Sequence, residues 1–150
     1  MKILVINGPN LNLLGKRDPA HYGEDTLKSI GQMLSAKAGQ LVCDLAFFQS
    51  NHEGYMIDFI QKEAERADGI LLNAGALTHY GYSLHDALAD SRLPVVEVHL
   101  SNIRAREEWR QKSVVADIAI GQISGFKAQS YILGLEALVN HINNRSKNED

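Results

Sequence analysis

Apolar and polar positions follow two different rhythms along this chain. Short runs made mostly of apolar residues are typical of strands buried on both faces of a parallel sheet. They predict strands at residues 3–6, 41–48, 70–73, 95–100 and 118–120. Between the runs, apolar residues recur every three or four positions, as they do along one face of a helix.

The helical segments alternate with the strands. The first helix is predicted to begin near an Asp25 cap and to end near Gly39, and the last to end at Ile142. The polar residues from Asn143 to Asp150 are predicted to form a frayed tail. Strands that alternate with helices predict an α/β domain with helices on both faces of a parallel sheet.

Composition limits the possible function classes. The 150 residues suffice for one domain, and a net charge of -3 lacks the basic excess that nucleic-acid binding needs. No apolar run approaches the roughly 18 residues of a membrane span. Cys43 is the one cysteine, so no disulfide can form within the chain, and the N-terminus has the pattern of a strand rather than a signal peptide. We therefore expect a cytoplasmic protein without nucleic-acid or membrane partners.

A long polar loop, residues 7–23, follows the first predicted strand and contains three glycines, two prolines and three asparagines. Such loops at the carboxyl ends of parallel strands are where open α/β sheets bind ligands. The loop is not a P-loop, because Asn10 and Arg17 replace the required Gly and Ser or Thr, and it has no G-x-G-x-x-G motif. Its amide-rich composition favours a neutral or anionic polyhydroxylated ligand over a nucleotide.

Polar residues cluster at the ends of three predicted strands. They are Asn10, Arg17 and Tyr22 after the first strand, Asn73 and His79 after the third, and Glu97 and His99 on the fourth. Because the carboxyl ends of parallel strands share one edge of a sheet, these side chains are expected to converge there.

Glu97 and His99 lie two positions apart, so a regular strand points both to the same face. The carboxylate would orient the imidazole and make His99 a competent acid. Alternatively, the two buried side chains only satisfy each other's hydrogen bonds. The histidines lack H-x-x-x-H spacing and no cysteine partners them, which argues against a metal site.

Arg17 and Tyr22 form a second candidate pair. A phenol is a poor base at neutral pH, but a close guanidinium in a water-poor site stabilises its ionised form. The alternative is that Arg17 faces solvent and Tyr22 serves in packing. The residues alone leave this open.

Five motifs follow one another along the chain. They are GPNLNLLGKRDP (residues 8–19) with Tyr22-Gly23, LNAGALTH (72–79), EVHLSN (97–102), REEWR (106–110) and the glycine-bounded segment 121–125. From residue 2 to about 142, this series resembles type II 3-dehydroquinate dehydratase. The resemblance implies a flavodoxin-like three-layer sandwich with a five-stranded parallel sheet of order 2-1-3-4-5. It also implies one catalytic domain over residues 1–150, no cofactor or metal, and a homododecamer of four trimers.

The activity implied by this resemblance is that of a hydro-lyase of the shikimate pathway, which leads to aromatic amino acids. Members convert 3-dehydroquinate to 3-dehydroshikimate by anti elimination of water through an enolate. The proton acceptor of the family falls on Tyr22, its transition-state arginine on Arg17 and its proton donor on His99. The remaining roles fall on Asn10, which would hold a water, on Glu97, which would orient His99, and on the substrate contacts Asn73, His79, Asp86, Leu100, Ser101 and Arg110. Asp86 is expected to reach the site of the neighbouring subunit.

The chain departs from the common family pattern at Asp18, Arg104 and Tyr80-Gly81, which leaves the catalytic set intact and the inhibitor preference open. A different interpretation is a flavodoxin-like module that binds flavin or a small anion without chemistry. Flavin binding would require a first loop rich in Ser and Thr, and a phospho-acceptor receiver domain would require acids after the first strand.

Overall fold

A computed structural model describes residues 1–148, which are organised around a five-stranded parallel sheet with strand order 2-1-3-4-5. Its strands are β1 (Lys2–Asn7), β2 (Asp44–Gln49), β3 (Gly69–Asn73), β4 (Val95–His99) and β5 (Gly121–Ser124). The central β1 and β3 are apolar on both faces, since helices cover each side of the sheet. The fold class and strand order predicted from the sequence are confirmed.

Helices cover the sheet on both sides. They are α1 (Pro19–Tyr22), α2 (Leu27–Leu41), α3 (Glu53–Glu63), α4 (Tyr82–Ser91) and α5 (Gln129–Asn148). The apolar stripes of α2 and α5 pack into one hydrophobic core, and those of α3 and α4 pack into a second core on the opposite face. Within residues 1–148, no helix combines the length and the apolar character that crossing a membrane requires.

The chain leaves β1 toward one edge of the sheet and leaves β3 toward the other. A crevice forms at such a point, outside the carboxyl ends of the two strands. The loops after these strands approach closely at Gly8, where a Cβ atom would lie 2.3 Å from the carbonyl oxygen of Ala74. Only glycine permits this approach, which brings the two loops together over the crevice.

Two predicted strands are displaced along the chain. Leu41 is the last residue of α2, and the second strand begins only at Asp44. Residues 118–120 form a turn rather than a strand, since the backbone N–H groups of Ile118 and Ala119 both donate to Val115. The fifth strand instead begins at Gly121, in a polar segment without an apolar run.

The predicted ends of the first and last helices also change. Thr26, not Asp25, caps α2, because its side chain accepts a hydrogen bond from the backbone N–H of Ser29 and Ser29 returns one. Gly39 lies inside this helix. The last helix continues past Ile142 to Asn148, so the predicted end at Ile142 is wrong, while residues 149–150 of the predicted tail lie outside the described part. Neither glycine nor proline interrupts residues 143–148, so the helical hydrogen bonding continues.

Candidate active site

A polar pocket lies at the carboxyl edge of the sheet, over the crevice between β1 and β3. The predicted residues that line it are Asn10, Arg17, Tyr22, Asn73, His79, His99, Leu100, Ser101 and Arg110. They come from the loop after β1, from the end of β3 and its loop, and from the end of β4 and its loop. The convergence predicted from the three strand ends is therefore confirmed.

A larger crevice of about 320 Å³ lies between α2 and β2, but its chemistry is poor. Its walls include Leu27, Leu34 and Phe47, and Lys28 is its ionisable residue. Apolar walls with one lysine supply no acid and base pair, so the polar pocket is the candidate active site.

Tyr22 is held by two arginines. Arg17 Nη2 donates to the phenolic oxygen at 2.8 Å, and Arg106 Nη1 donates to the same oxygen at 3.0 Å. The Arg17 guanidinium also lies over the tyrosine ring, 3.9 Å from its centroid. Of the alternative interpretation, the solvent-facing Arg17 is wrong, whereas Tyr22 does also pack against the core beside α2 and α5. Two cationic donors thus converge on one phenolic oxygen.

The position of Tyr22 is set by the short helix α1. The side chain of Asp18 caps this helix by accepting from the backbone N–H of Ala20, and Pro19 occupies its first position. Tyr22 is the last residue of the helix, and Gly23 follows with a positive φ of 75°. One helical turn thus directs the phenol back toward the pocket.

Arg106 is a site residue that the sequence reasoning missed, although the arginine lies in the REEWR motif. Besides contacting Tyr22, it donates from Nη1 to Ser101 Oγ at 3.1 Å. Its Nε is buried and has no hydrogen-bond partner among the described residues. Arg104, Arg106 and Arg110 lie close together in sequence, and only the conformation of the loop decides that Arg106 turns toward Tyr22.

His99 and Glu97 are paired on β4. His99 Nε2 lies 2.6 Å from Glu97 Oε1, and the side chains are 6% and 0% exposed, which excludes bulk water from the contact. The predicted placement of both side chains on one face is confirmed. Since Nε2 faces the carboxylate, Nδ1 is the imidazole nitrogen left for a ligand.

Glu97 receives further hydrogen bonds that the sequence reasoning did not anticipate. Thr78 Oγ1 donates to Oε1, while Ser113 Oγ and Gln122 Nε2 donate to Oε2, at 2.9 and 2.5 Å. Burial raises the pKa of Glu97, but the hydrogen bonds from His99, Thr78 and Gln122 outweigh it and place the pKa below its usual value. Glu97 is therefore a buried, ionised group whose charge faces His99.

Asn73 and His79 follow β3 and face the pocket with defined orientations. Asn73 Nδ2 donates to Tyr131 Oη at 2.9 Å, and its Oδ1 accepts from the backbone N–H of Gly75 at 3.1 Å. His79 Nδ1 lies 2.7 Å from the carbonyl oxygen of Lys112, so Nδ1 carries the proton. Burial lowers the pKa of His79. At neutral pH this imidazole is uncharged, with Nε2 as an acceptor.

The remaining predicted contacts border the same pocket. Leu100 and Ser101 are buried directly after β4, and Asn10 lies in the left-handed region with φ 68° while its backbone N–H donates to Asn51. Arg110 is hydrogen-bonded to Glu107, and its guanidinium lies 4.1 Å from the centroid of the Trp109 ring. The guanidinium at the pocket wall is thereby held at a fixed position.

Asp86 does not line the pocket of its own chain. Its side chain is 80% exposed, and Oδ1 lies 3.1 Å from His85 Nδ1, whose Nε2 faces Asp117. Leu84 and Leu88 of the same helix are buried, as the predicted separation of faces requires. The assignment of Asp86 to a neighbouring subunit's site stays a prediction.

Three guanidinium groups line the pocket, from Arg17, Arg106 and Arg110, whereas none of the described lining residues is acidic. Such a pocket attracts an anionic ligand, which the arginine forks bind by paired hydrogen bonds. The geometry therefore combines an anion-binding wall, a phenol between two cations and a carboxylate-backed imidazole.

The family model described as "Dehydroquinase class II" matches residues 1–139. The chain belongs to the class II dehydroquinase family. A 3-dehydroquinate dehydratase from Acaryochloris marina is 55% identical over 140 residues, which cover 93% of this chain and 94% of the relative. The family resemblance drawn from the ordered motifs is confirmed.

Solved structures of other class II dehydroquinases share the fold over nearly the whole chain. The type II dehydroquinase from Butyrivibrio crossotus is 44% identical, with a TM-score of 0.89 over 92% of this chain and 97% of that one. The type II dehydroquinase from Propionibacterium acnes is 38% identical, with a TM-score of 0.87 over 93% and 96% of the two chains. The three-layer architecture of this class II dehydroquinase is thus that of its relatives.

Proposed function

We propose that the protein dehydrates 3-dehydroquinate to 3-dehydroshikimate. As a class II dehydroquinase it is an enzyme of the hydro-lyase class. The observation that carries the proposal is the pairing within one pocket of Tyr22, bound by two guanidinium groups, with His99, backed by the ionised Glu97. Tyr22 is placed to take a proton, and His99 is placed to give one.

Elimination of water next to a ketone has three requirements. A base must remove a proton from carbon, the charge that develops on oxygen must be stabilised, and an acid must protonate the departing hydroxide. We assign the base to Tyr22, because Arg17 and Arg106 both donate hydrogen bonds to its phenolic oxygen. Arg17 acts in the transition state by holding that oxygen in its planar fork.

His99 is the proposed acid. Its Nε2 is occupied by Glu97, so Nδ1 delivers the proton to the leaving hydroxyl, while the Glu97 carboxylate holds the imidazole in position. Tyr22 enters the pocket from the loop after β1, while His99 enters from β4. Anti elimination, in which the proton and the hydroxide leave opposite faces of the ring, is the part of the proposal that rests on the family resemblance.

The remaining residues bind the substrate and its enolate. We assign Asn10 to hold a water against the enolate oxygen, and the Leu100–Ser101 backbone to bind the substrate carboxylate, since N–H groups at a strand end can cradle an anion. Arg110, Asn73 and His79 bind ring hydroxyls. The cationic wall of the pocket supports this orientation of a carboxylated, polyhydroxylated substrate.

The wider setting rests on the family resemblance. We propose that residues 1–150 form one catalytic domain, that twelve chains assemble as four trimers, and that Asp86 completes a neighbouring site. The exposed position of its carboxylate supports this role. Use in the shikimate pathway of aromatic amino acid biosynthesis and a cytoplasmic location are further parts of the proposal.

A spectroscopic assay tests the activity. The purified protein is mixed with 3-dehydroquinate, and the ultraviolet absorbance of the conjugated enone product is followed with time. We expect the absorbance to rise with enzyme concentration and the product mass to be lower by one water. A protein that binds 3-dehydroquinate in calorimetry but never produces the enone would support the noncatalytic interpretation instead.

A further inference from the structure

Two buried asparagines stand side by side beneath the pocket. Asn7 and Asn73 are paired across the β1–β3 register at the carboxyl ends of these strands, with 3% and 2% of their surface exposed. Tyr131, from the first turns of α5, lies between their side chains. Its hydroxyl donates to Asn7 Oδ1 at 2.6 Å and accepts from Asn73 Nδ2 at 2.9 Å. The far end of the chain thereby contacts the floor of the site.

The direction of each hydrogen bond between Gly75, Asn73, Tyr131 and Asn7 is determined. The backbone N–H of Gly75 can only donate, so the group of Asn73 that faces it, at 3.1 Å, is Oδ1. Nδ2 of Asn73 must then point to Tyr131, whose own proton goes to Asn7 Oδ1. If the Asn73 amide were flipped, its NH2 group would face the backbone N–H of Gly75, and neither could accept a hydrogen bond from the other. The carboxamide therefore has one satisfied orientation.

This orientation decides what the pocket offers to a ligand. A carboxamide carries two N–H groups, and Tyr131 takes one of those on Asn73, which leaves the other for the pocket that Asn73 lines. Building on the proposed function, we propose that Tyr131 is a positioning residue. By accepting from Nδ2, it fixes the side of the Asn73 amide that the Gly75 N–H does not hold, so that Asn73 presents its second N–H to an oxygen of 3-dehydroquinate. Tyr131 itself touches no substrate.

The hydroxyl and the ring of Tyr131 have separable roles. The ring is fully buried in the core with Val98 and Leu135, and phenylalanine would keep that packing. Burial raises the pKa of Tyr131, so the hydroxyl stays protonated and keeps its donor bond to Asn7. The substitution Tyr131→Phe therefore removes the hydrogen bond that holds Nδ2 of Asn73, while the Gly75 N–H still holds Oδ1, and it leaves the core in place.

The test is a double-mutant cycle on kcat/KM for 3-dehydroquinate. We expect Tyr131→Phe to lower kcat/KM about tenfold to a hundredfold, with an unchanged pH profile because Tyr22 and His99 keep their partners. In an Asn73→Ala background the same substitution should cause no further loss, since it acts through the missing amide. If Asn73→Ala is too slow to assay, affinity for 3-dehydroshikimate measured by calorimetry replaces kcat/KM.

Ser130→Ala is the matched control. Ser130 is the adjacent, fully buried hydroxyl, and it accepts a hydrogen bond from the backbone of Phe126 without contacting the pocket. It should lower the melting temperature but keep the wild-type kcat/KM. If Tyr131→Phe does not fold, Asn7→Ala is the second variant, because it removes the acceptor of the hydrogen bond that Tyr131 donates. It should lower kcat/KM in the wild-type background and not in the Asn73→Ala background.

The outcomes separate this inference from the proposed function. If the wild-type protein turns over 3-dehydroquinate, the proposed function stands. Equal losses of kcat/KM from Tyr131→Phe in the wild-type and Asn73→Ala backgrounds would then overturn only the positioning role of Tyr131. Full activity of Tyr131→Phe would overturn it as well. A wild-type protein without turnover in the same assay removes the function, and the inference that rests on it.

Discussion

Arg17 donates a hydrogen bond to the phenolic oxygen of Tyr22 at 2.8 Å, while its guanidinium also covers the face of the same ring. The two residues are five positions apart, so the short helix α1 is enough to bring them together. Arg106 reaches the same oxygen from 84 positions along the chain. A local contact and a distant one thus place two positive charges on one phenol.

Replacing Tyr22 with phenylalanine should abolish turnover and leave ligand binding within about tenfold of wild type, because the lost hydroxyl acts mainly in the transition state. The enone absorbance assay and calorimetry with the product measure the two effects. Tyr55→Phe is the control, since Tyr55 is 61% exposed on α3 and outside the pocket. A Tyr22→Phe enzyme with more than about a tenth of the wild-type rate would disprove the base assignment.

Arg17→Lys should lower kcat at least about a hundredfold although the charge is retained. A lysine cannot donate to the Tyr22 oxygen from a planar fork while lying over the ring. Arg104→Lys, at an exposed arginine two positions before Arg106, should leave kcat unchanged. Comparable rates for the two lysine variants would mean that charge, and not the geometry of the guanidinium, supports catalysis.

The lid formed by residues 15–22 should respond to ligand. Gly15 and Pro19 bracket a polar segment, and residues 15–22 contact the rest of the chain through hydrogen bonds from Arg106 to Tyr22 and from Lys127 to the carbonyl oxygen of Ala20. We expect limited proteolysis to cut between residues 15 and 22 in the free protein and saturating 3-dehydroshikimate to protect them. Cleavage at the same rate with and without ligand would show that binding does not stabilise the lid.

The strands that the sequence predicted well are those that helices cover on both faces of the sheet. β1 and β3 are covered on both faces, so apolar residues run without a break through residues 3–6 and 70–72 and indicate buried strands. β5 lies at an edge and is partly exposed, and its Gly-Gln-Ile-Ser segment carries no such run. The apolar residues 118–120 just before it were therefore mistaken for the strand.

The same distinction holds for the site. Glu97 and His99 were predicted to pair because two positions on one strand share a face, which is a local rule. Thr78, Ser113 and Gln122 also bond to Glu97, but from 19, 16 and 25 positions away. Their contacts depend on loop conformations and on the docking of an edge strand, which no sequence period encodes.

His85 should make stability depend on pH. The hydrogen bonds that His85 donates to the carboxylates of Asp86 and Asp117 raise the pKa of His85 in the folded protein. A raised pKa means that the folded state binds the proton more tightly, so the stabilisation is complete below the unfolded pKa of about 6.5. It is lost as the pH rises through the folded pKa.

The variant His85→Gln should therefore lower the urea midpoint more at pH 5.5 than at pH 9. Chemical unfolding of both proteins at the two values measures the difference. Asp117→Asn provides a second check, because losing one of the two carboxylates should reduce the pH dependence of stability without removing it. A His85→Gln effect of equal size at both pH values would show that the charge on the imidazole does not contribute to stability.

The last prediction is that Asp86 serves the active site of a neighbouring subunit. The side chain is 80% exposed on α4, does not line the pocket of its own chain, and is oriented by His85. If it contacts the ligand across an interface, Asp86→Ala should lower kcat/KM roughly 10- to 150-fold, as the loss of a charged hydrogen bond does. Asp90→Ala, on an exposed acid of the same helix, should leave kcat/KM unchanged.

Mixing Asp86→Ala chains with Tyr22→Phe chains decides whether the site is shared. Each variant carries the residue that the other lacks, so reassembled oligomers contain interfaces with Tyr22 on one side and Asp86 on the other. Activity above that of both parents would establish a site built from two subunits. If mass spectrometry shows subunit exchange and the activity still does not rise, Asp86 acts within its own chain or plays no part in the reaction. The exposure of Asp86 would then be that of an ordinary solvated acid on a helix.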